Sequence, residues 1–206
     1  MINFKFDPTI ICPEDPTATP ERIEGYKSHY ATKYLICKLL NPKTIVEIGV
    51  RAGYSCWAFF QACPEATIYG FDNNCGEHGG KGGSDGKYKE WAKKLLSDYD
   101  FEYFDRNTQQ SIFLLFRAGR LPSFADGEID FFHVDGDHTT EGVYHDLKLA
   151  MRHLKEGGYI LVDDIDYLPQ VKEGVTMFLK DYHVESIYIP SFRGEMLIKK
   201  INGVEI

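Results

Sequence analysis

Five short apolar runs, each followed by a turn and then by helical spacing, constrain this chain more than any other feature. TIVEI at 44–48, ATIYGF at 66–71, FEYF at 101–104, IDFFHV at 129–134 and YILV at 159–162 are rich in the β-branched and aromatic residues of buried strands. Helical patterns stand between them: YSCWAFFQAC, stopped by Pro64, then residues 88–96, 111–117 and 140–154, the last closed by Lys155-Glu156-Gly157-Gly158. Strands that alternate with helices return to the same sheet by right-handed crossovers, which place helices on both of its faces. The ends complete the pattern. Ile23, Tyr26, Tyr30, Tyr34 and Leu35 predict an amphipathic helix over 21–40, stopped at Asn41-Pro42. Residues 168–182 predict another helix, and 184–189 with 195–200 a closing antiparallel pair. The expected fold is α/β: a doubly wound, mostly parallel seven-stranded sheet with a closing antiparallel strand.

At 206 residues the chain is expected to form a single domain, 1–206, in which residues 1–40 cover the active site as an N-terminal arm and a helix. Residues 1–20, rich in Pro and Thr, read as an arm or loose cover, and the glycine-rich 73–87 insert as a surface loop or a lid. The 31 acidic against 23 basic residues give a formal charge of −8, which disfavours nucleic acid and anionic membranes and points to a small-molecule or glycan partner. Five cysteines, at 12, 37, 56, 63 and 75, form no C-x-x-C pair. No run is long and apolar enough for a signal peptide or a membrane span. A reduced, cytoplasmic chain is expected, with homo-oligomerisation left open.

In open α/β sheets ligands bind beyond the carboxyl ends of the strands, where strand order reverses. Glu47 at the end of the first strand, with Gly49 and Gly53 after it, belongs there, and Asp72, ending the second, is an acid placed to take two ribose hydroxyls. Arg51 stands where a dinucleotide site needs glycine, and the Glu47 carboxylate repels phosphate, so a ligand with an ammonium group and no phosphate fits better than NAD. S-adenosylmethionine has that chemistry. The fourth and fifth strands, expected side by side next to the first, end in Asp135 and in Asp163-Asp164. Three carboxylates so close need a cation or a proton among them, and an all-oxygen set suits Mg²⁺, with Ca²⁺ or Mn²⁺ as alternatives. His138 is placed to accept a proton from an acceptor hydroxyl, with Asp137 as an alternative base or as the group that orients the histidine. Each acid also has an ordinary reading: Asp137 or Thr139 caps the helix from Thr140, and Asp163-Asp164 is a solvated turn. His133-Val134-Asp135 allows an iron site, which needs a second histidine.

VEIGVRAGYS, the acid of YGFDNN and HVDGDHTTEGVYHDLKLAMRHLKEGGYILVDDI resemble the class I S-adenosylmethionine-dependent methyltransferases. Within that group the likeness is to the branch of the macrocin and mycinamicin O-methyltransferases and the cephalosporin hydroxylase-like proteins, over roughly residues 40–165. The resemblance implies a Rossmann-like methyltransferase fold, cofactor contacts at Glu47, Gly49, Gly53, Ser55 and Asp72, and adenine near Asp105 to Asn107. It also implies a Mg²⁺ held by Asp135, Asp163 and Asp164, with His138 as general base on a sugar hydroxyl. Arg51 departs from the glycine common in class I enzymes, and the extra N-terminal domain of the macrolide enzymes has no counterpart here. Other readings are a cofactor-binding module without catalysis, and a hydroxylase or oxidoreductase on the same scaffold.

Overall fold

In a computed structural model that describes residues 4–74, 86–105 and 127–201, the alternating runs become one sheet. In chain order the elements are α1 (Pro20–Leu40), β1 (Thr44–Ile48), α2 (Tyr54–Ala62), β2 (Thr67–Asp72), α3 (Lys87–Leu95), β3 (Phe101–Asp105), β4 (Ile129–Val134), α4 (Thr140–His153), β5 (Leu154–Val162), α5 (Pro169–Asp181), β6 (Glu185–Ile189) and β7 (Glu195–Lys199). The strand order is β3-β2-β1-β4-β5-β7-β6; the first five are parallel, and β7 runs antiparallel between β5 and β6. The expected 111–117 helix, Cys75 and most of the 73–87 insert lie outside the described residues.

Local chemistry sets the boundaries. Thr19 accepts the Arg22 N–H at the start of α1, Pro20 occupies its first turn, and Asn41 ends it in a left-handed conformation. Thr139 accepts the Gly142 N–H at 3.0 Å and so caps α4. One expectation is corrected: Lys155 to Gly158 do not close α4 but belong to β5. Ile129 pairs with Leu154 and Phe131 with Tyr159, so the extra residues bulge out of register, with Gly157 supplying a φ of +72°.

Two apolar layers sandwich the sheet. Ile45, Ile68 and Phe131 point to one face, under α1, α2 and α3, while Val46, Ile48, Phe132 and Val162 point to the other, under α4 and α5. The N-terminal arm is not a loose cover. Phe4 packs 5.0 Å from Tyr34, Phe6 stacks 6.1 Å from Tyr30, and Trp91 donates to the Ile10 carbonyl at 2.7 Å.

At the carboxyl edge the strand ends follow one another in register. Gly49 N–H donates to the Phe71 carbonyl, Asp135 N–H to that of Ile48, and Asp163 N–H to that of Val134. The turn after β1 touches the turn after β4 backbone to backbone: a Cβ on Gly49, whose φ is +92°, would stand 1.9 Å from the Asp135 carbonyl oxygen. Gly49→Ala is therefore expected to cost at least about 2 kcal/mol of stability, read from the urea midpoint.

Candidate active site

A cavity of about 1210 Å³ opens over this edge, more than a single drug-sized ligand needs. Its walls include Gly49 to Ala52, Ser55, Asp72 to Asn74, Asp135 to Glu141, Asp163 and Asp164, with Arg22, Tyr26, His29, Tyr30 and Lys33 of α1 above them. Gly49, Asp72, Asp135, His138, Asp163 and Asp164, singled out in the sequence, thus converge on one space.

In the half below β1 and β2, Asp72 accepts the Arg51 N–H and the Asn74 N–H, each at 2.7 Å, which fixes its carboxylate beside the turn. Burial raises its pKa, with those two bonds opposing. Arg51 takes a left-handed φ of 49° and sends its guanidinium outward to Asp15 at 2.7 Å, Thr17 at 3.0 Å and the face of Tyr88. It thereby ties the N-terminal arm to the turn and presents no free cation for phosphate. An acid fixed at the strand end beside a large cavity, with the Arg51 guanidinium already paired to Asp15, fits S-adenosylmethionine.

Glu47 and Gly53 stand apart from the cavity walls. Glu47 is fully buried under the turn, where its carboxylate takes the Ser55 hydroxyl, the Cys56 thiol and, at 2.9 Å, His133 Nδ1. Its place is in a polar knot beneath the turn. Gly53, at φ +80°, opens α2 and lies against Ala92 and Leu96. Asn107 is outside the described residues, as is the end of the expected adenine turn.

The acids at β4 and β5 divide into two sets. Asp163 Oδ2 accepts Lys33 Nζ at 2.9 Å and lies 3.1 Å from His29 Nε2, while its Oδ1 accepts the Asp164 N–H. Lys33 also donates to Glu195 at 2.6 Å. Asp164, held at φ +61°, faces the other way, with both oxygens on Arg193 at 3.1 and 3.4 Å. His138 Nε2 stands 3.1 Å from Asp135 and 3.8 Å from Asp164. Among the described residues, donor atoms converge within 4.8 Å in three groups: Asp135–His138–Asp164, His133–Asp135–Asp163 and His29–Asp163–Glu195. The expected trio of Asp135, Asp163 and Asp164 is not among them, because the Lys33 ammonium draws Asp163 toward α1. Two carboxylates beside an imidazole still form a donor set suited to a hard divalent ion at Asp135 and Asp164. None of the three groups holds the two histidines that an iron site asks for.

Charge separates the neighbouring acids. Burial would raise the Asp163 pKa, but His29 and Lys33 outweigh it and hold it well below the usual range. Asp164, pushed by burial and by Asp135 and Asp163, rises to about 6. Burial lowers the His138 pKa, and the Asp135 hydrogen bond with the surrounding carboxylates more than reverses that. Asp137 accepts the Thr139 N–H at 2.9 Å, in the turn before α4, and it is Asp135 that orients His138.

Lys33, His29, Arg193 and Glu195 are the site residues that the strand-and-turn motifs do not reveal. His29 and Lys33 carry a visible signal, since both lie at helical spacing on the buried Tyr26–His29–Tyr30–Lys33–Tyr34–Cys37 stripe of α1.

Comparison with known proteins places this arrangement. The family described as "Methyltransferase domain" matches residues 46–165. An uncharacterized protein of Acanthamoeba polyphaga mimivirus is 29% identical over 142 residues, 67% of this chain and 60% of its own length, so the chain spans less than two thirds of that relative. Among solved structures, a Podospora anserina methyltransferase bound to SAH aligns with a TM-score of 0.65 at 15% identity, covering 90% of this chain and 84% of its own. An O-methyltransferase from Bacillus cereus in complex with SAH aligns at 0.62 and 13% identity, covering 92% and 84%. At these identities the likeness is one of fold.

Two outcomes follow from the charge pairs. Lys33→Met strands two buried carboxylates and should cost about 3–5 kcal/mol at neutral pH. Because the folded-state pKa of Asp163 is depressed, its contribution is complete above 3.8, its ordinary value, and is lost as pH falls through the lower folded value. Urea midpoints of the two proteins should thus approach each other only in strong acid. In metal-free protein, the His138 imidazole should titrate above 6.5 by NMR, and Asp135→Asn should bring it down.

Proposed function

This chain belongs to the methyltransferase-domain family, and on that premise we propose that it transfers the methyl group of S-adenosylmethionine to a hydroxyl of a sugar or sugar-bearing small molecule. The observation that carries this reading is His138, hydrogen-bonded to Asp135 on the wall of the same cavity that reaches the ribose-type acid Asp72. When bound, the donor supplies an electrophilic methyl group on a sulfonium. Asp72 would take the ribose hydroxyls, and the turn from Gly49 to Ala52 would line the donor half of the cavity. His138 takes the proton that the acceptor hydroxyl loses on attack, and Asp135 holds the imidazole in position for it. The carboxylates around His138 raise its basicity, which suits the task near neutral pH. Asp137 shapes the turn that carries the base.

The reading includes a divalent ion, Mg²⁺ before Mn²⁺ or Ca²⁺, held by Asp135 and Asp164, with Asp163 standing behind them in the Lys33 pair. Such an ion supplies a Lewis acid that lowers the pKa of an acceptor hydroxyl. The acceptor half of the cavity offers Tyr26, Tyr30 and Tyr167 beside Arg22, Gln170 and Glu141. Aromatic faces next to polar groups suit a polyhydroxylated ring. The acidic charge of the chain supports a small-molecule or glycan acceptor, and the four described cysteines, all free thiols, support a cytoplasmic setting. Among the described residues no helix is long and apolar enough to cross a membrane.

Titration calorimetry with S-adenosylmethionine and its demethylated product, with NAD as control, tests the donor: micromolar binding of the first two and none of NAD is expected. His138→Ala should lower turnover on sugar acceptors by at least about 10²-fold while leaving donor affinity within a factor of about two. Asp72→Ala should weaken donor binding by about tenfold or more. Full turnover in the His138 variant would overturn the assignment of the base.

A further inference from the structure

Two cations of the chain itself sit on the acidic strand ends, and they are built differently. Lys33 Nζ is enclosed, with a side chain 1% exposed, and is shared by Asp163 and Glu195. Arg193 comes from the turn between β6 and β7, its side chain is 20% exposed on the cavity wall, and it spans both oxygens of Asp164. We infer that Arg193 is an exchangeable counter-cation of the acid pair, seated on the oxygens a divalent ion needs and displaced from Asp164 when one binds. The inference rests on the reading that Asp135 and Asp164 form the ion site.

The geometry supports exchange by the side chain alone. The backbone around Arg193 is pinned, since its carbonyl accepts the Asp166 N–H at 2.9 Å and the Gly194 carbonyl accepts the Ile165 N–H at 3.0 Å. The left-handed backbone of Asp164 likewise keeps its carboxylate turned toward the cavity. An ion coordinated at about 2.1 Å from an Asp164 oxygen would lie within a few Å of a guanidinium donating to that oxygen, and like charges at such range repel strongly. The guanidinium already has a second partner that does not depend on the carboxylate: its Cζ lies 5.0 Å over the ring of Tyr167, itself 53% exposed. A cation over that face retains part of its stabilisation after leaving the carboxylate. Arg22, which donates to the Tyr167 hydroxyl at 3.4 Å, marks the neighbouring position and is not bonded to the acids.

Titration calorimetry of Mn²⁺ into the metal-free 206-residue chain at fixed ionic strength tests the exchange. Arg193→Gln should bind Mn²⁺ about tenfold tighter than the wild type or better, Arg22→Gln should stay within about threefold, and Asp164→Asn should lose most of the binding. Arg193→Lys keeps the charge on a shorter stem, gives up the two-oxygen contact and should tighten binding by at least about threefold, which carries the test should the Gln variant not fold. Equal or weaker binding by the Arg193 variants overturns the exchange, and if Asp164→Asn still abolishes binding, the ion site itself stands. Equal tightening by Arg22→Gln and Arg193→Gln also overturns it, since a long-range charge effect then suffices. Absence of Mn²⁺ binding in both the wild type and the Arg193 variants overturns the exchange and the ion site together.

Discussion

The buried ammonium of Lys33 is the interaction on which the active-site half of the molecule depends. Taking an ammonium and two carboxylates out of water costs several kcal/mol for each ion, which only close and well-directed pairing offsets. That pairing is possible because β7 inserts antiparallel beside β5. Val162 faces Met196 across the ladder, so Glu195 and Asp163 come to the same end of neighbouring strands. Lys33 enters between them from α1, 130 and 162 residues away in the chain. One side chain thus joins the covering helix to the sheet edge and, with the helix, brings Tyr26, His29 and Tyr30 over the cavity.

The same placement sorts two adjacent acids into different roles. Asp163 is held ionised by Lys33 and His29, whereas Asp164, next in the chain, turns the other way and is pressed upward by burial and by its acidic neighbours. Environments that push neighbouring titratable groups apart are a recurrent means of dividing labour in active sites. Here the division leaves one acid as part of the scaffold and leaves Asp164, with Asp135 and His138, facing the ligand space.

The strand ends were legible because period and punctuation are local. TIVEI and IDFFHV became β1 and β4 without a shift, and the register that aligns Ile48 with Val134 puts Asp135 where a parallel sheet requires it. The bulge in β5 was hidden, since Lys155 to Gly158 has the composition of a turn and only the pairing with β4 draws it into the strand. The direction of each acid was hidden for a different reason. Asp163 and Asp164 are equivalent letters until Lys33, Arg193 and Glu195 arrive from remote segments. Glu47 was hidden for the same cause: an acid in the first strand reads as a ligand contact, and its burial against Ser55, Cys56 and His133 depends on α2 and β4 folding over it.

The backbone contact between Gly49 and Asp135 has a consequence for how such a cleft can change. With no space for even one methyl group between the two turns, the floor behaves as a single casting: moving the wall on the donor side moves the peptide that carries the acid. Remodelling for a new acceptor is therefore channelled to the roof, where α1 and the β6–β7 turn meet the cavity through long side chains that can be exchanged without disturbing the floor. A cleft built in this way can diversify its clientele while its chemistry stays put.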